Sequence, residues 1–155
     1  MPIDQPFFKT GIIVTDLEKA AAEFTATLGV EWAPLTVVPL QIRTPDGLEE
    51  VDLRVLISTT GPTYLELIES QPTGYYAAPD GGYLHHVGMW VDDLATESAR
   101  LDAQGWKREA AGEFEGVCPV AFAFHASPLG MRLELGDIAN LPAFEAWTSG
   151  QGLNL

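Results

Sequence analysis

The sequence predicts an α+β fold made of two copies of one β-α-β-β-β unit, and three observations carry that prediction. The first is an internal repeat. Lys9-Thr10-Gly11-Ile12-Ile13-Val14-Thr15-Asp16-Leu17 returns as His86-Val87-Gly88-Met89-Trp90-Val91-Asp92-Asp93-Leu94, with Gly11 on Gly88, Val14 on Val91 and Asp16-Leu17 on Asp93-Leu94 at one constant offset. The second is a matching pair of later segments, Tyr64-Leu65-Glu66-Leu67 and Arg132-Leu133-Glu134-Leu135. The third is Pro45-Asp46-Gly47, a turn signal between two strand-like stretches.

Each element has its own local reason. Residues 7–14 are apolar and β-branched and read as a strand. Asp16 follows as a helix N-cap; Leu17, Ala20, Ala21, Phe24 and Leu28 recur at helical spacing, and Gly29 stops the helix. Residues 31–44 and 49–58 form a long hairpin, and residues 63–69 a short strand after Gly61-Pro62. Residues 70–82, rich in Pro, Gly and Tyr, read as a linker, with Gly81-Gly82 a turn and not a nucleotide-binding glycine motif. Residues 83–91 are the next strand. A helix runs from about Asp93 to Gln104, stopped by Gly105, and strands follow at 106–111, 118–125 and 131–135. The chain thus divides into a first module at 7–69, a linker at 70–82, a second module at 83–136 and a tail at 137–155, together one domain of 155 residues. Leu141 to Trp147 in the tail predicts one or two helical turns whose Phe144 and Trp147 dock on this subunit or on a partner.

Composition excludes several function classes. Hydrophobic content of 46% with 19% charged residues describes a folded globular chain. A net charge of −14 repels phosphate backbones and anionic membrane faces, so no nucleic acid and no membrane is expected as partner. No apolar run approaches the ~20 residues of a spanning helix. Met1-Pro2-Ile3-Asp4-Gln5 lacks the basic start and apolar core of a signal peptide, and Cys118 is a lone thiol; together these point to the cytoplasm. Exposed sheet edges and the apolar tail point to a homodimer.

Strand parity gathers the candidate residues. Side chains alternate faces along a strand. If Phe8, Ile12 and Val14 cover the first helix, Lys9 and Gly11 face away from it, as do His86, Gly88 and Trp90 in the second module. Tyr64, Glu66 and Ile68 oppose Leu65 and Leu67, and Arg132 and Glu134 oppose Leu133 and Leu135. By this count His85 points to the opposite face from His86, while the face of His125 is open. A carboxylate set among apolar strand residues is costly without a partner, which marks Glu66 and Glu134.

These blocks, His-x-Gly-x-x-Val-x-Asp-Leu before a helix and Leu-Glu-Leu in the closing strand, resemble the vicinal oxygen chelate superfamily, the glyoxalase/bleomycin-resistance/extradiol-dioxygenase fold. The resemblance covers residues 7–136, and the His85-His86-Val-Gly run and single two-module length are most similar to its methylmalonyl-CoA epimerase-like branch. It implies a cupped mixed sheet with the helices on its outer face and a divalent metal in the cup. The positions that usually ligate it fall here on Lys9, Glu66, His86 and Glu134. Three of these suit a metal: Glu66, His86 and Glu134. Lys9 stands where His or Gln is usual, and an ammonium has no lone pair to give. Two occupancies therefore stay open: a metal-free cup in which Lys9 neutralises the carboxylates, or a divalent ion on three ligands with Lys9 displaced.

The resemblance implies enolate-type chemistry on a small carbonyl compound by an isomerase, epimerase or lyase. In that account Glu134 or Glu66 is the base and Lys9 or a metal the electrophile. Arg132, Tyr64, Trp90, Phe122 and His125 are the candidate substrate contacts. Extradiol oxygen cleavage is disfavoured by the single histidine at these positions. The alternative is a metal-free small-molecule binding or sequestering protein, for which the carboxylates would be dispensable. Arg43 and Arg54 read as salt-bridge residues and Cys118 as a small apolar one.

Overall fold

The two copies of the repeat fold alike. β1 (Lys9–Val14) leads to Asp16, whose carboxylate accepts from Lys19 N at 3.0 Å and caps α1 (Leu17–Leu28). β5 (Tyr83–Val91) leads to Asp93, which accepts from Thr96 N at 3.0 Å and caps α2 (Leu94–Ala103). Each cap satisfies an amide that the first helical turn leaves unpaired. The remaining strands are β2 (Thr36–Thr44), β3 (Gly47–Ile57) and β4 (Tyr64–Glu69) in the first half, and β6 (Lys107–Gly112), β7 (Phe122–Ala126) and β8 (Arg132–Asp137) in the second. A 3-10 turn, Ile138–Asn140, then enters α3 (Leu141–Thr148). This computed structural model describes residues 6–78 and 82–152. The reading of residues 1–5, and the parts of the linker and tail at 79–81 and 153–155, lie outside the described residues.

All eight strands join in one mixed sheet in the order β1-β4-β3-β2-β6-β7-β8-β5, which closes on itself. Within each half the first strand pairs parallel with the last, β1 with β4 and β5 with β8, and the other pairings are antiparallel. The halves meet through β1–β5 and through the short contact Ile42↔Gly112 and Arg43↔Ala111 between β2 and β6. The fold is the predicted α+β cup, with α1 and α2 on its outside. Leu17 and Ala21 of α1 pack on Leu67 of the sheet, and Leu94 and Leu101 of α2 pack on Leu133 and Leu135.

Two glycines let the halves meet. In β1–β5, Gly11 lies opposite His86 and Lys9 opposite Gly88. A Cβ on Gly11 would fall 2.1 Å from His86 Cε1, and one on Gly88 would fall 3.0 Å from Lys9 Cγ. Each glycine of the repeat thus opens the space that the other half's cup-facing side chain occupies.

Three sequence expectations change. Phe8 precedes β1 and enters the cup, stacking on Trp90 at 4.1 Å, so only Ile12 and Val14 cover α1. His85 also faces inward. Gly11 pairs with His86 and Ile12 with Leu84, so His85 is the extra residue of a β-bulge and strict alternation fails there. The exposed sheet edges expected from the sequence are absent among the described residues, because the sheet closes on itself, and α3 packs on this chain's own cup, with Phe144 and Trp147 buried.

Candidate functional site

One end of the cup interior is closed by α3 and the other by the segment after β4. Phe144 meets Phe8, Tyr64 and Trp90 edge to face, so the tail helix is pinned by aromatic packing at the end where β5 and β8 finish. At the opposite end Tyr75 and Tyr76 turn in. The Tyr75 amide donates to the Glu49 carboxylate at 3.1 Å, and its hydroxyl donates to Glu109 at 3.0 Å. Between the two ends lies a cavity of about 170 Å³. Its walls are aliphatic and aromatic, including Val38, Leu53, Trp90, Phe122, Phe124 and Tyr76, and its polar patch is Lys9, Glu66 and Glu134.

That patch holds the residues that the repeat singles out. Lys9 from β1, Glu66 from β4, His86 from β5 and Glu134 from β8 are all buried. Lys9 Nζ donates to Glu66 Oε1 at 3.2 Å and Oε2 at 3.1 Å, and lies 3.2 Å from Glu134 Oε2. The ammonium therefore bridges the two carboxylates. Burial alone would lower the lysine's pKa, but Glu134 and then Glu66 outweigh it and hold it above the ordinary lysine value. Burial likewise pushes the Glu134 carboxyl up; Lys9 and then His86 more than offset this and hold it well below the carboxylate range. Two carboxylates against one ammonium leave one negative charge for a proton on His86, a metal or a ligand to balance.

His86 Nε2 approaches Glu134 Oε2 at 2.9 Å and Glu66 Oε1 at 3.6 Å. Neither contact is aligned as a hydrogen bond, so Nε2 is buried without a hydrogen-bond partner. Its Nδ1 lies 2.9 Å from His85 Nδ1. Burial, followed by His86, lowers the His85 pKa to about 2, so this ring is uncharged and can only share one proton with its neighbour. It packs edge to face against Tyr75, Tyr83 and Phe124.

Glu66, His86 and Glu134 fit a divalent ion in type, one imidazole nitrogen and two carboxylates, and their ligand atoms lie within 4.8 Å of one another. The unpartnered Nε2 of His86 also fits such an ion. Lys9 does not, because its ammonium already stands between both carboxylates and would have to leave them.

The other sequence candidates divide. Trp90 and Phe122 line the cavity, while Tyr64 stands behind Phe144. Arg132 shares the inward face of β8 with Glu134 but lies beyond the cavity, where it donates to Glu109 at 2.5 Å and to the His85 carbonyl at 2.9 Å. Its contacts there are to the closed end of the cup and not to the cavity. His125 does not reach the cup. Phe122 and Phe124 take the inward positions of β7, and His125 is turned under α2. Its Nδ1 lies 2.7 Å from the Trp106 carbonyl, which can only accept. The proton is therefore on Nδ1, and Nε2 accepts from Ser98 Oγ at 2.8 Å. Burial lowers its pKa. Arg43 and Arg54 pair with Glu113, and with Glu18 and Glu69, as salt-bridge residues.

Sequence reasoning missed Phe8 and His85 as inward-facing residues. The resemblance implies that the linker bearing Tyr75, Tyr76 and Tyr83 passes near the mouth of the cup, and the apolar tail predicts docking of Phe144 and Trp147; that Tyr76, Phe144 and Trp147 line the cavity itself is encoded by no local pattern.

Comparison with known proteins places the chain. Residues 8–124 match the family described as the Glyoxalase/Bleomycin resistance protein/Dioxygenase superfamily. No curated protein matches the sequence. Among solved structures, a hypothetical protein from Bacillus halodurans is similar at 16% identity and a TM-score of 0.60, over 86% of this chain and 94% of that one. Methylmalonyl-CoA epimerase from Mycobacterium tuberculosis is similar at 19% identity and a TM-score of 0.54, over 84% and 86%. A methylmalonyl-CoA epimerase in complex with methylmalonyl-CoA and NH4+ is similar at 20% identity and a TM-score of 0.52, over 84% and 92%. At these identities the structures share the fold.

Proposed function

The chain belongs to the glyoxalase/bleomycin resistance protein/dioxygenase superfamily, and on that premise we propose that its cup is a proton-transfer site for a small carbonyl compound, of isomerase or epimerase type. The observation that carries this is the Lys9 ammonium bridging Glu66 and Glu134 at the end of an apolar cavity. A donor fixed in a water-poor site stabilises negative charge that develops on a carbonyl oxygen, which is what forming an enolate requires. Lys9 is that donor. Both oxygens of Glu66 are taken up by Lys9. Glu134 contacts Lys9 and His86 through Oε2, and among the described residues its Oε1 has no hydrogen-bond donor. Glu134 Oε1 is therefore placed to take the proton from the carbon beside the carbonyl, and Glu66 holds the ammonium in position.

The same charges explain how the base is switched on. At rest Lys9 and His86 make Glu134 a weak base. When the substrate oxygen takes hydrogen bonding from the ammonium, the carboxylate loses part of that stabilisation and gains basicity. His85 fixes the imidazole of His86 from behind. A divalent ion on Glu66, His86 and Glu134 would supply the same polarisation of the carbonyl once Lys9 had moved aside. Among the similar structures, an epimerase with its substrate carries NH4+, an ion of the same chemistry as the Lys9 head group.

The test is solvent-deuterium incorporation at the carbon beside the carbonyl of small ketones, followed by NMR. The wild type accelerates exchange, and Glu134→Gln, which keeps the shape, loses about 10²–10⁴-fold. Undiminished exchange in Glu134→Gln would sink the assignment. A ketone that binds with no exchange at all would instead mark a sequestering protein, the reading that the apolar walls favour.

A further inference from the structure

The walls of the cup and the groove beside it say what it admits. Leu40, Ala121 and Phe122 line the cavity and also a surface groove of about 590 Å³. They are the partition between the two, so the groove runs beside the cavity. The groove carries Glu50, Asp52, Glu113 and Glu115, of which Glu113 is paired with Arg43. Its field repels anions from that side of the cup. Inside, Lys9 is the only cation on the lining among the described residues, and two carboxylates outnumber it. Among the described residues the lining offers no second cation for a phosphate or a coenzyme tail.

The tail helix sets the size. Asn140, Ala143, Phe144 and Trp147 of the tail form one wall. It leaves about 170 Å³, below the ~300 Å³ at the small end of ligand pockets.

We propose that the cup takes a compact, uncharged, aromatic or branched aliphatic ketone, its carbonyl on Lys9 and its apolar body against Trp90, Phe122 and Phe144, and that α3 excludes larger and anionic thioester substrates. This ligand class rests on the proton-transfer reading for the orientation of the carbonyl. The apolar walls, the acidic groove beside them and the tail wall give selection by size and against anions independently of it.

The experiment is a ligand-observed NMR titration of the full chain with acetophenone, benzylamine and propionyl-CoA. Acetophenone binds most tightly of the three. Ala143→Trp, which fills the cavity from α3, and Leu40→Trp, which fills it from β2, each weaken it by at least about tenfold; the second variant guards against misfolding of the first. Failure of acetophenone to bind the wild type, tighter binding of benzylamine or propionyl-CoA, or unchanged binding in both folded variants overturns the proposal. Deuterium exchange on the same samples separates the two claims. Acetophenone binding without exchange leaves the ligand class standing and removes the proton-transfer reading. Exchange on propionyl-CoA without ketone binding does the reverse.

Discussion

Lys9 and His86 occupy equivalent places in the two halves of the molecule. Each sits on the first strand of its half, faces the cup and has the other half's glycine opposite. The backbone treats the two alike, yet the chemistry differs. His86 offers an unpartnered nitrogen to the centre, whereas Lys9 offers a fixed positive charge that bridges both carboxylates. The repeat therefore sets where groups point, and a single side chain decides whether the centre needs a cation from solution or carries one. A buried ion cluster of this kind is weak evidence for stability, because apolar residues of similar volume would serve a core as well.

The comparison is broken most completely at Lys9. Lys9→Met leaves Glu66 and Glu134 buried with no cation between them and should cost about 3–5 kcal/mol at neutral pH, read as a fall in midpoint by chemical denaturation. Its pH dependence is the sharper readout. Glu134 has a depressed pKa, so its contribution is present above the ordinary value of 4.5 and is lost as pH falls through the lower folded value. Lys9 has a raised pKa, so its contribution is full below 10.5 and is lost as pH rises through the higher folded value. The wild type should show a broad plateau between these limits. Lys9→Met should lose the alkaline fall and gain stability on acidification, as its carboxylates protonate; a parallel, merely lowered profile would refute the bridging role.

The two glycines give the next contrast. Gly11→Ala puts a methyl 2.1 Å from the His86 ring, which is hemmed in by His85 and Phe124, and should destabilise by about 1–3 kcal/mol or more while displacing the imidazole. Gly88→Ala meets Lys9 Cγ and Phe8 at 3.0 Å, a flexible stem and a ring edge, and should cost less, within about 1.5 kcal/mol. Thermal melts of both variants, with deuterium exchange beside them, rank the halves. The smallest effect is expected at the histidine outside the cup. Ser98→Ala leaves His125 Nε2 without its donor and should cost about 1–2 kcal/mol with no change in ketone binding or exchange. A lost activity there would return His125 to the site.

The legible part of this molecule was what repeats. The glycine spacing, the Asp caps and the paired Leu-Glu-Leu strands specify the architecture and bring Lys9, Glu66, His86 and Glu134 to one face. Parity failed where a strand gains a residue. The bulge at His85 turned a residue expected on the outer face inward, and the one at Glu109 carried a carboxylate to Arg132. The face of His125 could not be read because Ala121 to Ala126 is apolar on both sides, buried under α2 on one and in the cavity on the other. The walls from Tyr76, Phe144 and Trp147 depend on chain that folds back from far away in sequence, and no local pattern encodes that.

The most direct test of the built-in cation is metal content by mass spectrometry of the wild type and Lys9→His, both purified without a metal-affinity tag and offered Mn²⁺, Co²⁺, Ni²⁺ and Zn²⁺. The account predicts a wild type that stays substoichiometric and gains no thermal stability from any of these ions. Lys9→His, with a ligand in both halves, should take up one ion per chain. Stoichiometric metal in the wild type, lost in Glu134→Ala, would contradict it and show that Lys9 yields its place.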